Sequence, residues 1–280
     1  MVRKRVLSEA SAKLQELVGD RSLFEARLLL AKVLRVEPID LIREDQSEIS
    51  GDDENKYWEL IGRRLKKEPM AYLMGEKEFF GLKFEVNPAV LIPRPETEEL
   101  VQGCLDWLGT KGFGRDSARI LDIGTGSGCI AISLSKNLPE HFQIEALDCS
   151  KEALDVARSN AKSAGVSNLN FIEENFNHYI PKQKYSLIVS NPPYISAKEY
   201  AGLDEGIQDF EPESALLSGS GGLDDLLHIV ERYPQYLLRH GLLALETGSA
   251  AQREAIKCRL ESQSTVRIWD LSCHLFMEFS

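Results

Sequence analysis

Apolar residues recur at helical spacing near the start of the chain. Ser22 and Glu25 have the spacing of a capping box, in which the hydroxyl and the carboxylate each satisfy a free backbone N–H group. The apolar side chains at helical spacing in this stretch are Phe24, Leu28, Leu29, Val33 and Leu34. The pattern predicts a helix over about 22–35.

Two further helices are predicted in the same region. Pro38 suits the first turn of a short helix, where a missing N–H costs no hydrogen bond. Asp52 or Asp53 is predicted to cap the next helix, and Pro69 to end it. The apolar side of that helix carries Tyr57, Trp58, Leu60, Ile61 and Leu65. Residues 1–75 are therefore predicted to form a small helical domain.

The hydrophobic period then changes to short β-like segments. Residues 78–80 and 83–86 lie on either side of Gly81, which predicts a β-hairpin. Three prolines follow and stiffen the chain: Pro88, Pro93 and Pro95. Residues 76–95 are predicted to connect the helical domain to the rest of the chain.

From residue 96 onward, strand and helix patterns alternate. Strands are predicted at 119–122, 143–147, 170–172, 186–189 and 242–245. A helix over 151–164 is capped by Ser150 and stopped by Gly165, and a second over 224–238 has a kink at Pro234. A terminal strand pair is predicted at 266–269 and 275–279. Residues 96–280 are therefore predicted to form an α/β domain of the Rossmann-like, doubly wound type, with helices on both faces of a mostly parallel sheet that has a terminal antiparallel strand.

Composition limits the classes of protein that the chain can belong to. Apolar residues make up 43% and charged residues 28%, so most of the chain has enough apolar surface to fold. The net charge is −11, and the acidic excess lies entirely after residue 75, which argues against general nucleic-acid binding. The start of the chain has no signal-peptide pattern, and no apolar run is long enough to span a bilayer. We therefore expect a cytoplasmic protein without a membrane partner.

Cysteine and histidine do not indicate a metal site. The five cysteines are scattered and never spaced as C-x-x-C, and the five histidines form no H-E-x-x-H or clustered set. We expect reduced cysteines and no bound metal.

A glycine-rich turn follows the strand at 119–122. Gly124, Gly126 and Gly128 let the backbone turn sharply and let a ligand approach, while the following helix offers free N–H groups. Cys129 occupies the position where the dinucleotide fingerprint requires its third glycine, so a dinucleotide is the weaker interpretation. Asp148 ends the next strand, where its carboxylate can accept both ribose hydroxyls. This arrangement resembles the class I S-adenosylmethionine-dependent methyltransferases.

A second motif, Asn191-Pro192-Pro193-Tyr194, follows the strand at 186–189. Two prolines stiffen the backbone and leave carbonyl oxygens free to accept hydrogen bonds. Asn191 Oδ1 and the Pro192 carbonyl can each accept one N–H of a planar amino group, and the ring of Tyr194 can lie on the plane of that group. No strong base is required, because the nitrogen becomes acidic after methyl transfer. We predict orientation as the main source of rate enhancement.

Three segments together resemble the HemK/PrmC family of release-factor glutamine methyltransferases. They are Leu91-Ile92-Pro93-Arg94-Pro95-Glu96-Thr97-Glu98, Leu121-Asp122-Ile123-Gly124-Thr125-Gly126-Ser127-Gly128 and Val189-Ser190-Asn191-Pro192-Pro193-Tyr194-Ile195. The resemblance implies S-adenosylmethionine as donor and N5-methylation of the glutamine in the Gly-Gly-Gln motif of peptide chain release factors. It also implies that residues 1–75 recognise the release factor. The segment 270–280 departs from the usual ending of the family.

The resemblance also implies roles for individual residues. The methionine end of the cofactor would lie against Gly124, Thr125, Gly126, Ser127 and Gly128, and the ribose against Asp148. Phe176 would pack near the adenine, and Asn175, where relatives commonly have Asp, would accept from its amino group. Asn191, Pro192, Pro193 and Tyr194 would hold the glutamine amide, with Asn191 also next to the cofactor.

Two other functions are compatible with the same motifs. The Asn-Pro-Pro-Tyr turn would accept any planar amino group, so an enzyme that methylates adenine N6 is the main alternative, although the acidic second domain lacks the basic surface that duplex DNA requires. A non-enzymatic scaffold with a degenerate cofactor site is the other. The intact glycine turn, Asp148 and Asn191 argue against the scaffold.

Overall fold

The computed structural model describes residues 2–43, 46–111, 119–260 and 265–280. The chain forms two compact units. Unit 1 comprises Met1–Glu76 and Asp204–Phe210, and unit 2 comprises Lys77–Leu203 and Glu211–Ser280. The chain therefore passes from unit 2 into unit 1 and back again around residues 204–210.

Twelve helices and nine strands occur in the described residues. The helices are α1 (Arg3–Val18), α2 (Ser22–Leu34), α3 (Asp40–Arg43), α4 (Gly51–Leu65), α5 (Met70–Met74), α6 (Glu96–Gly109), α7 (Cys129–Asn137), α8 (Lys151–Ser163), α9 (Ala197–Tyr200), α10 (Glu205–Gln208), α11 (Asp224–Arg232) and α12 (Ala250–Leu260). The strands are β1 (Glu76–Phe79), β2 (Leu82–Glu85), β3 (Arg119–Ile123), β4 (Gln143–Asp148), β5 (Leu169–Glu173), β6 (Tyr185–Ser190), β7 (Leu237–Glu246), β8 (Val266–Leu271) and β9 (His274–Phe279).

The helices of unit 1 confirm a helical N-terminus but correct two predicted caps. Helix α2 begins at Ser22, but no capping box forms, because Ser22 Oγ donates to Gln15 Oε1 and Glu25 accepts from Arg64 Nε at 2.8 Å. Helix α4 is capped by Ser50, whose Oγ accepts from the Asp53 N–H, and not by Asp52 or Asp53. In α2 partners outside the helix replace the local pattern, whereas in α4 a different local residue provides the cap.

The residues buried in unit 1 also differ from those predicted to form the apolar side of α2. Helix α1 was not predicted, yet its Val6, Ala10 and Leu14 are completely buried at a spacing of four residues. In α2 the buried side is formed by Ala26, Leu29 and Leu30, while Phe24 is 58% exposed. Ala26 packs in one core with residues of α1 and α4, and Phe24, two positions earlier, lies on the other side of α2.

Unit 2 contains a seven-stranded sheet in the order β5-β4-β3-β6-β7-β9-β8. The strands from β5 to β7 pair in parallel, while β9 pairs antiparallel with both β7 and β8. The predicted mostly parallel sheet with a terminal antiparallel strand is confirmed. A separate two-stranded sheet of β1 and β2 forms the predicted hairpin.

One predicted helix of unit 2 was wrong in its second half. Helix α11 ends at Arg232, a 3-10 turn covers Pro234–Tyr236, and strand β7 begins at Leu237. Pro234 therefore ends the helix and does not merely kink it, because proline lacks an N–H and clashes with the preceding turn. Tyr233 is buried and donates to the Phe176 carbonyl at 2.7 Å, which fixes the end of the helix.

The parallel register brings four strand ends to one edge of the sheet. Ile123 at the end of β3 pairs with Leu147 of β4 and with Ser190 of β6, and Ser190 pairs in turn with Leu245 of β7. Ligands of doubly wound sheets bind at this carboxyl edge. No helix within the described ranges is long and apolar enough to cross a membrane.

Candidate active site

The glycine turn between β3 and α7 has a backbone that favours glycine. Gly124, Gly126 and Gly128 have φ angles of 71°, 54° and 80°, in the left-handed region that side-chain-bearing residues rarely adopt. The N–H groups of Gly124 and Thr125 both donate to the Leu147 carbonyl, at 2.8 and 3.0 Å. The turn is therefore fastened to the end of β4, beside Asp148.

Gly128 is also required by packing. A Cβ atom at this position would lie 2.9 Å from Ile132 Cδ1 and 3.2 Å from Ala157 Cβ. These two residues lie on α7 and α8, so the absence of a side chain allows both helices to pack close to the turn. Gly128 thus supports the turn from behind, and it does not line the cleft described below.

The two hydroxyl residues of the turn are buried. Thr125 Oγ1 donates to Asp122 Oδ2 at 2.7 Å, and Ser127 lies in the interior. Asp122 is completely buried, and burial raises the pKa of its carboxyl from the ordinary 3.8 to about 7, although the Thr125 hydrogen bond opposes this rise. No described group makes a hydrogen bond of good geometry to its Oδ1, although the Ala131 N–H is close enough to the carboxyl to oppose the rise of its pKa. The sequence assigned no role to Asp122.

Asp148 joins the glycine turn to the start of α8. Its Oδ2 accepts from the Gly126 N–H at 2.8 Å and its Oδ1 from the Ser150 N–H at 2.9 Å. Burial raises the pKa of the Asp148 carboxyl, and the backbone N–H groups oppose the rise. A carboxylate offers about four lone-pair sites, so two acceptor positions remain for a ligand.

Asn175 and Phe176 follow β5 at the same edge. Phe176 lines the cleft, and its ring meets the His228 ring edge-on, with centroids 5.8 Å apart. Asn175 Oδ1 accepts from the Asn177 N–H at 2.8 Å and therefore stabilises its own turn. The oxygen that the resemblance assigns to the adenine amino group is thus already hydrogen-bonded.

The two polar atoms of the Asn191 amide differ in their hydrogen bonding. Its Nδ2 donates to Thr97 Oγ1 at 3.1 Å, whereas no described residue donates to its Oδ1. The Ser190 hydroxyl donates to the Ile123 carbonyl, and this bond keeps the ends of β6 and β3 together. Asn191 and Pro193 line the cleft together with the glycine turn, while Pro192 is buried.

Tyr194 is held firmly in place. Its hydroxyl donates to Glu246 Oε1 at 3.2 Å, and its carbonyl accepts from Gln252 Nε2 at 2.8 Å. A Cβ at Gly248 would come within 2.7 Å of the Tyr194 ring, so glycine allows the ring to pack there. Burial, together with the neighbouring Glu246 carboxylate, raises the pKa of the Tyr194 phenol, which therefore stays protonated and continues to donate.

A cleft of about 300 Å³ collects part of the predicted site. Six of the predicted residues line it: Gly124, Gly126, Asp148, Phe176, Asn191 and Pro193. Thr125, Ser127, Gly128, Asn175, Pro192 and Tyr194 lie outside the lining. The lining also includes residues that were not assigned to the site from sequence: Ala89, Val90, Leu91, Cys149, Glu174, Pro212, Ser214 and Ala215. Ala89, Val90 and Leu91 belong to the proline-rich stretch before α6. The family motif that begins at Leu91 could have predicted that this stretch lies at the site.

Two chain segments that border the cleft are joined by a buried ion pair. Arg94 donates to Glu211 Oε1 at 2.6 Å, and the Ile92 N–H donates to Glu211 Oε2 at 3.2 Å. The Glu211 side chain is almost completely buried. It therefore links the stretch that carries Val90 and Leu91 to the stretch that carries Pro212 and Ser214.

This cleft suits a nucleoside-bearing cofactor. It combines a glycine turn at a helix start, a carboxylate with free acceptor positions and an aromatic ring, which fit an amino-acid end, a ribose and a base respectively. The buried Asp122 with an unpartnered oxygen lies directly behind the turn. Within the described ranges, no three His, Cys, Asp or Glu side chains are grouped as a metal site.

The sheet order, the glycine turn and the Asn-Pro-Pro-Tyr turn define a class I S-adenosylmethionine-dependent methyltransferase. Residues 106–209 match the methyltransferase small domain, and residues 5–75 match the PrmC N-terminal domain. The chain is 39% identical over 245 residues to the release factor glutamine methyltransferase of Nitratidesulfovibrio vulgaris, covering 87% of this chain and 81% of the relative. The chain belongs to the family of release factor glutamine methyltransferases.

A further relative and two solved structures are also similar to this chain. The enzyme of the same name from Bordetella pertussis is 41% identical over 238 residues, covering 84% of this chain and 86% of the relative. The solved structure of human methyltransferase 10 domain containing protein has a TM-score of 0.51 at 17% identity, covering 72% of this chain and 90% of the other. The N-terminal domain of human METTL16 in complex with SAH has a TM-score of 0.50 at 18% identity, covering 72% and 76%. The solved structures show the shared fold.

Proposed function

We propose that this chain transfers the methyl group of S-adenosylmethionine to the side-chain amide nitrogen, N5, of the glutamine in the Gly-Gly-Gln motif of peptide chain release factors. The observation that carries the proposal is Asn191, which lines the cleft beside the glycine turn with no described residue donating to its Oδ1. An acceptor at this position suits a substrate that brings an N–H group. The names of the relatives supply the identity of the substrate protein.

The residues of the cleft suggest how the cofactor is held. Gly124 and Gly126, which line the cleft, would receive its methionine end, Asp148 would accept from the ribose hydroxyls, and Phe176 would pack on the adenine. When bound, S-adenosylmethionine supplies a methyl group that is electrophilic because it is attached to a sulfonium. Glu174 is a better candidate than Asn175 for an additional acceptor, because it lines the cleft and Asn175 does not. Its Oε1 accepts from the Asn175 N–H at 3.0 Å, but a carboxylate has a second oxygen that can accept from a ligand.

The role of the Asn-Pro-Pro-Tyr turn is to orient the amide. Asn191 Oδ1 and the Pro192 carbonyl would each accept one hydrogen of the substrate –NH2, which raises the electron density on nitrogen and fixes its line of attack. Burial and the Glu246 carboxylate raise the pKa of the Tyr194 phenol, so it stays protonated, and a neutral phenol is a poor base. Tyr194 would contribute its ring, and the proton would leave after transfer, when the nitrogen has become acidic.

The helical N-terminus would serve recognition. Residues 5–75 match the PrmC N-terminal domain, and we infer that they bind the release factor. We also infer a cytoplasmic location, because release factors act during translation. We expect neither general nucleic-acid binding nor a membrane partner.

The decisive experiment offers labelled S-adenosylmethionine to the full chain with three acceptors. These are a release factor, the same factor with its Gly-Gly-Gln glutamine replaced by asparagine, and duplex DNA. We expect label only on the unaltered factor, at the glutamine. Label on the altered factor would overturn the assigned glutamine, and label on DNA would favour methylation of adenine N6.

A further inference from the structure

Glu246 lies at the centre of a buried polar network behind the Asn-Pro-Pro-Tyr turn. It is the last residue of β7 and is 2% exposed. Its Oε2 accepts from Thr97 Oγ1 at 2.7 Å, and its Oε1 accepts from the Tyr194 hydroxyl at 3.2 Å. Thr97, in the first turn of α6, accepts in turn from Asn191 Nδ2 at 3.1 Å. Both ends of the turn are therefore connected to one carboxylate.

The direction of these hydrogen bonds follows from the chemistry of the groups. An ionised carboxylate can only accept, and a threonine hydroxyl has a single proton to donate. Thr97 gives this proton to Glu246, so it can only accept from Asn191. Asn191 must then turn its Nδ2 toward Thr97, and its Oδ1 away from Thr97.

A second group faces the same carboxylate. His274 is completely buried, with Nε2 3.4 Å from Glu246 Oε2 and Nδ1 3.1 Å from the Leu271 carbonyl. His274 lies in the C-terminal segment 270–280, whose sequence departs from the family's usual ending. His274 lies directly across from Glu246 in the pairing of β7 with β9, so this segment adds a further partner to the Glu246 carboxylate.

We propose that Glu246, acting through Thr97, is a positioning residue. It orients Asn191 so that the active site accepts substrates that bring an N–H group, such as a primary amide. Because the carboxylate sets the direction of both hydrogen bonds, Asn191 offers an acceptor to the substrate and not a donor. A primary amide satisfies this acceptor through its N–H, whereas a carboxylate in the same position would place two acceptors against each other. The network thus distinguishes glutamine from glutamate. This inference rests on the proposed function and adds the origin of its specificity.

The test compares three variants of the full chain. Thr97→Val keeps the shape of the side chain but removes the hydroxyl, and Thr97→Ser restores it. Thr110→Val makes the same change just beyond the other end of α6, where the hydroxyl donates only to the Trp107 carbonyl. We expect kcat on a release factor to fall roughly 10- to 100-fold in Thr97→Val, to recover mostly in Thr97→Ser, and to stay unchanged in Thr110→Val.

The affinity for S-adenosylmethionine distinguishes a loss of substrate positioning from a general disruption of the site. Calorimetry should give a Kd within about twofold of the wild-type value in all three variants, since Thr97 does not line the cleft. A kcat for Thr97→Val close to that of Thr97→Ser would overturn the proposal. So would a loss of cofactor affinity large enough to explain the lost activity.

A spectroscopic readout tests the inference even without turnover. The side-chain NH2 signals of Asn191 can be assigned in a ¹⁵N-labelled sample by their disappearance in Asn191→Ala. They should move strongly in Thr97→Val and in Glu246→Gln, where an amide can donate to Thr97 and reverse the chain of hydrogen bonds. Unmoved signals would contradict the proposal. Wild-type enzyme that methylates no release factor would refute the proposed function but leave this spectroscopic test valid.

Discussion

Asn191 and Asp148 both line the cleft, but their hydrogen bonds suit them to different tasks. Asp148 accepts from two backbone N–H groups and keeps acceptor positions open, which suits a neutral, hydroxyl-rich ligand. Asn191 is oriented by Thr97 and offers an oxygen to a donor. We therefore expect loss of Asp148 to affect cofactor binding and loss of Asn191 to affect the substrate more than the cofactor.

Substitution of the two residues should separate binding from transfer. Asn191→Ala should retain affinity for S-adenosylmethionine and lose methyl transfer, because the acceptor that orients the amide is gone. Asp148→Ala should weaken cofactor binding by about 1–3 kcal/mol, as expected for lost hydrogen bonds to a charged group. Calorimetry and labelled methyl transfer measure the two effects. Weak cofactor binding as the main defect of Asn191→Ala would contradict its assignment, as would unchanged affinity in Asp148→Ala.

The buried carboxyl of Asp122 should make stability depend on pH. Its pKa is about 7 in the folded chain and near 3.8 when unfolded, so the unfolded chain loses its proton first as pH rises. The contribution of Asp122 to the free energy of unfolding is therefore at its full value below about pH 4 and is lost as pH rises through 7. Asp122→Asn removes the effect, and its stability relative to wild type should increase by about 2–3 kcal/mol between pH 5 and pH 8. Urea denaturation at both values provides the measurement, and a difference that does not change with pH would refute it.

At the scale of elements, the site depends on how closely the glycine turn packs against α7 and α8. Gly124 and Gly128 share a positive φ, but only Gly128 has neighbours within contact distance of an added Cβ. Both positions therefore favour glycine because of their positive φ, and Gly128 also requires glycine because neighbouring side chains leave no room for a Cβ. This difference makes Gly124 a matched control for Gly128.

Alanine at the two glycines should have unequal effects on stability. Gly124→Ala introduces backbone strain alone, of about 1 kcal/mol. Gly128→Ala adds a clash with Ile132 and Ala157, which should cost about 1–3 kcal/mol more. Denaturant unfolding of both variants without cofactor measures the difference. Equal losses would show that the helices yield to the added methyl group.

At the scale of the whole molecule, the chain is not divided into two consecutive segments. Residues 204–210 belong to unit 1, although the residues on both sides belong to unit 2. Within unit 1, Lys67 pairs with Glu205 at 2.7 Å, and a Cβ at Gly206 would lie 2.6 Å from the Lys67 carbonyl. Exposed ion pairs contribute little, so the close backbone approach at Gly206 is the more important contact.

Substitution at Gly206 should release this segment. Gly206→Ala forces the backbone away from Lys67, and we expect faster hydrogen exchange in residues 204–210. Gly202→Ala is the control, because a Cβ there meets only the Glu199 carbonyl at an ordinary 3.5 Å. Mass spectrometry of exchanged peptides distinguishes the two variants. Similar protection in both would mean that the approach at Gly206 does not hold the segment.

Local patterns determined most of the elements that carry the site. Buried apolar runs predicted β3, β4 and β6, and the glycine turn and the diproline turn could be recognised because their backbone demands are met by few residue types. The Ser150 cap was predicted correctly for the same reason, since its partner lies three residues away. The capping box at Ser22 was wrong because Glu25 pairs with Arg64, which is distant in sequence. The cap at Asp52 or Asp53 was wrong because Ser50, a local residue, caps the helix through the Asp53 N–H.

Only the tertiary structure decided which residues lie behind the Asn-Pro-Pro-Tyr turn. Thr97 is 94 residues from Asn191 and 149 residues from Glu246, and no local pattern relates them. Their contacts arise because β6 pairs with β7 and α6 begins beside the same sheet edge. The sequence by itself therefore determined the two turns that contribute Gly124, Gly126, Asn191 and Pro193 to the cleft. Strand order and register, which depend on burial of the entire sheet, determined the network that orients them.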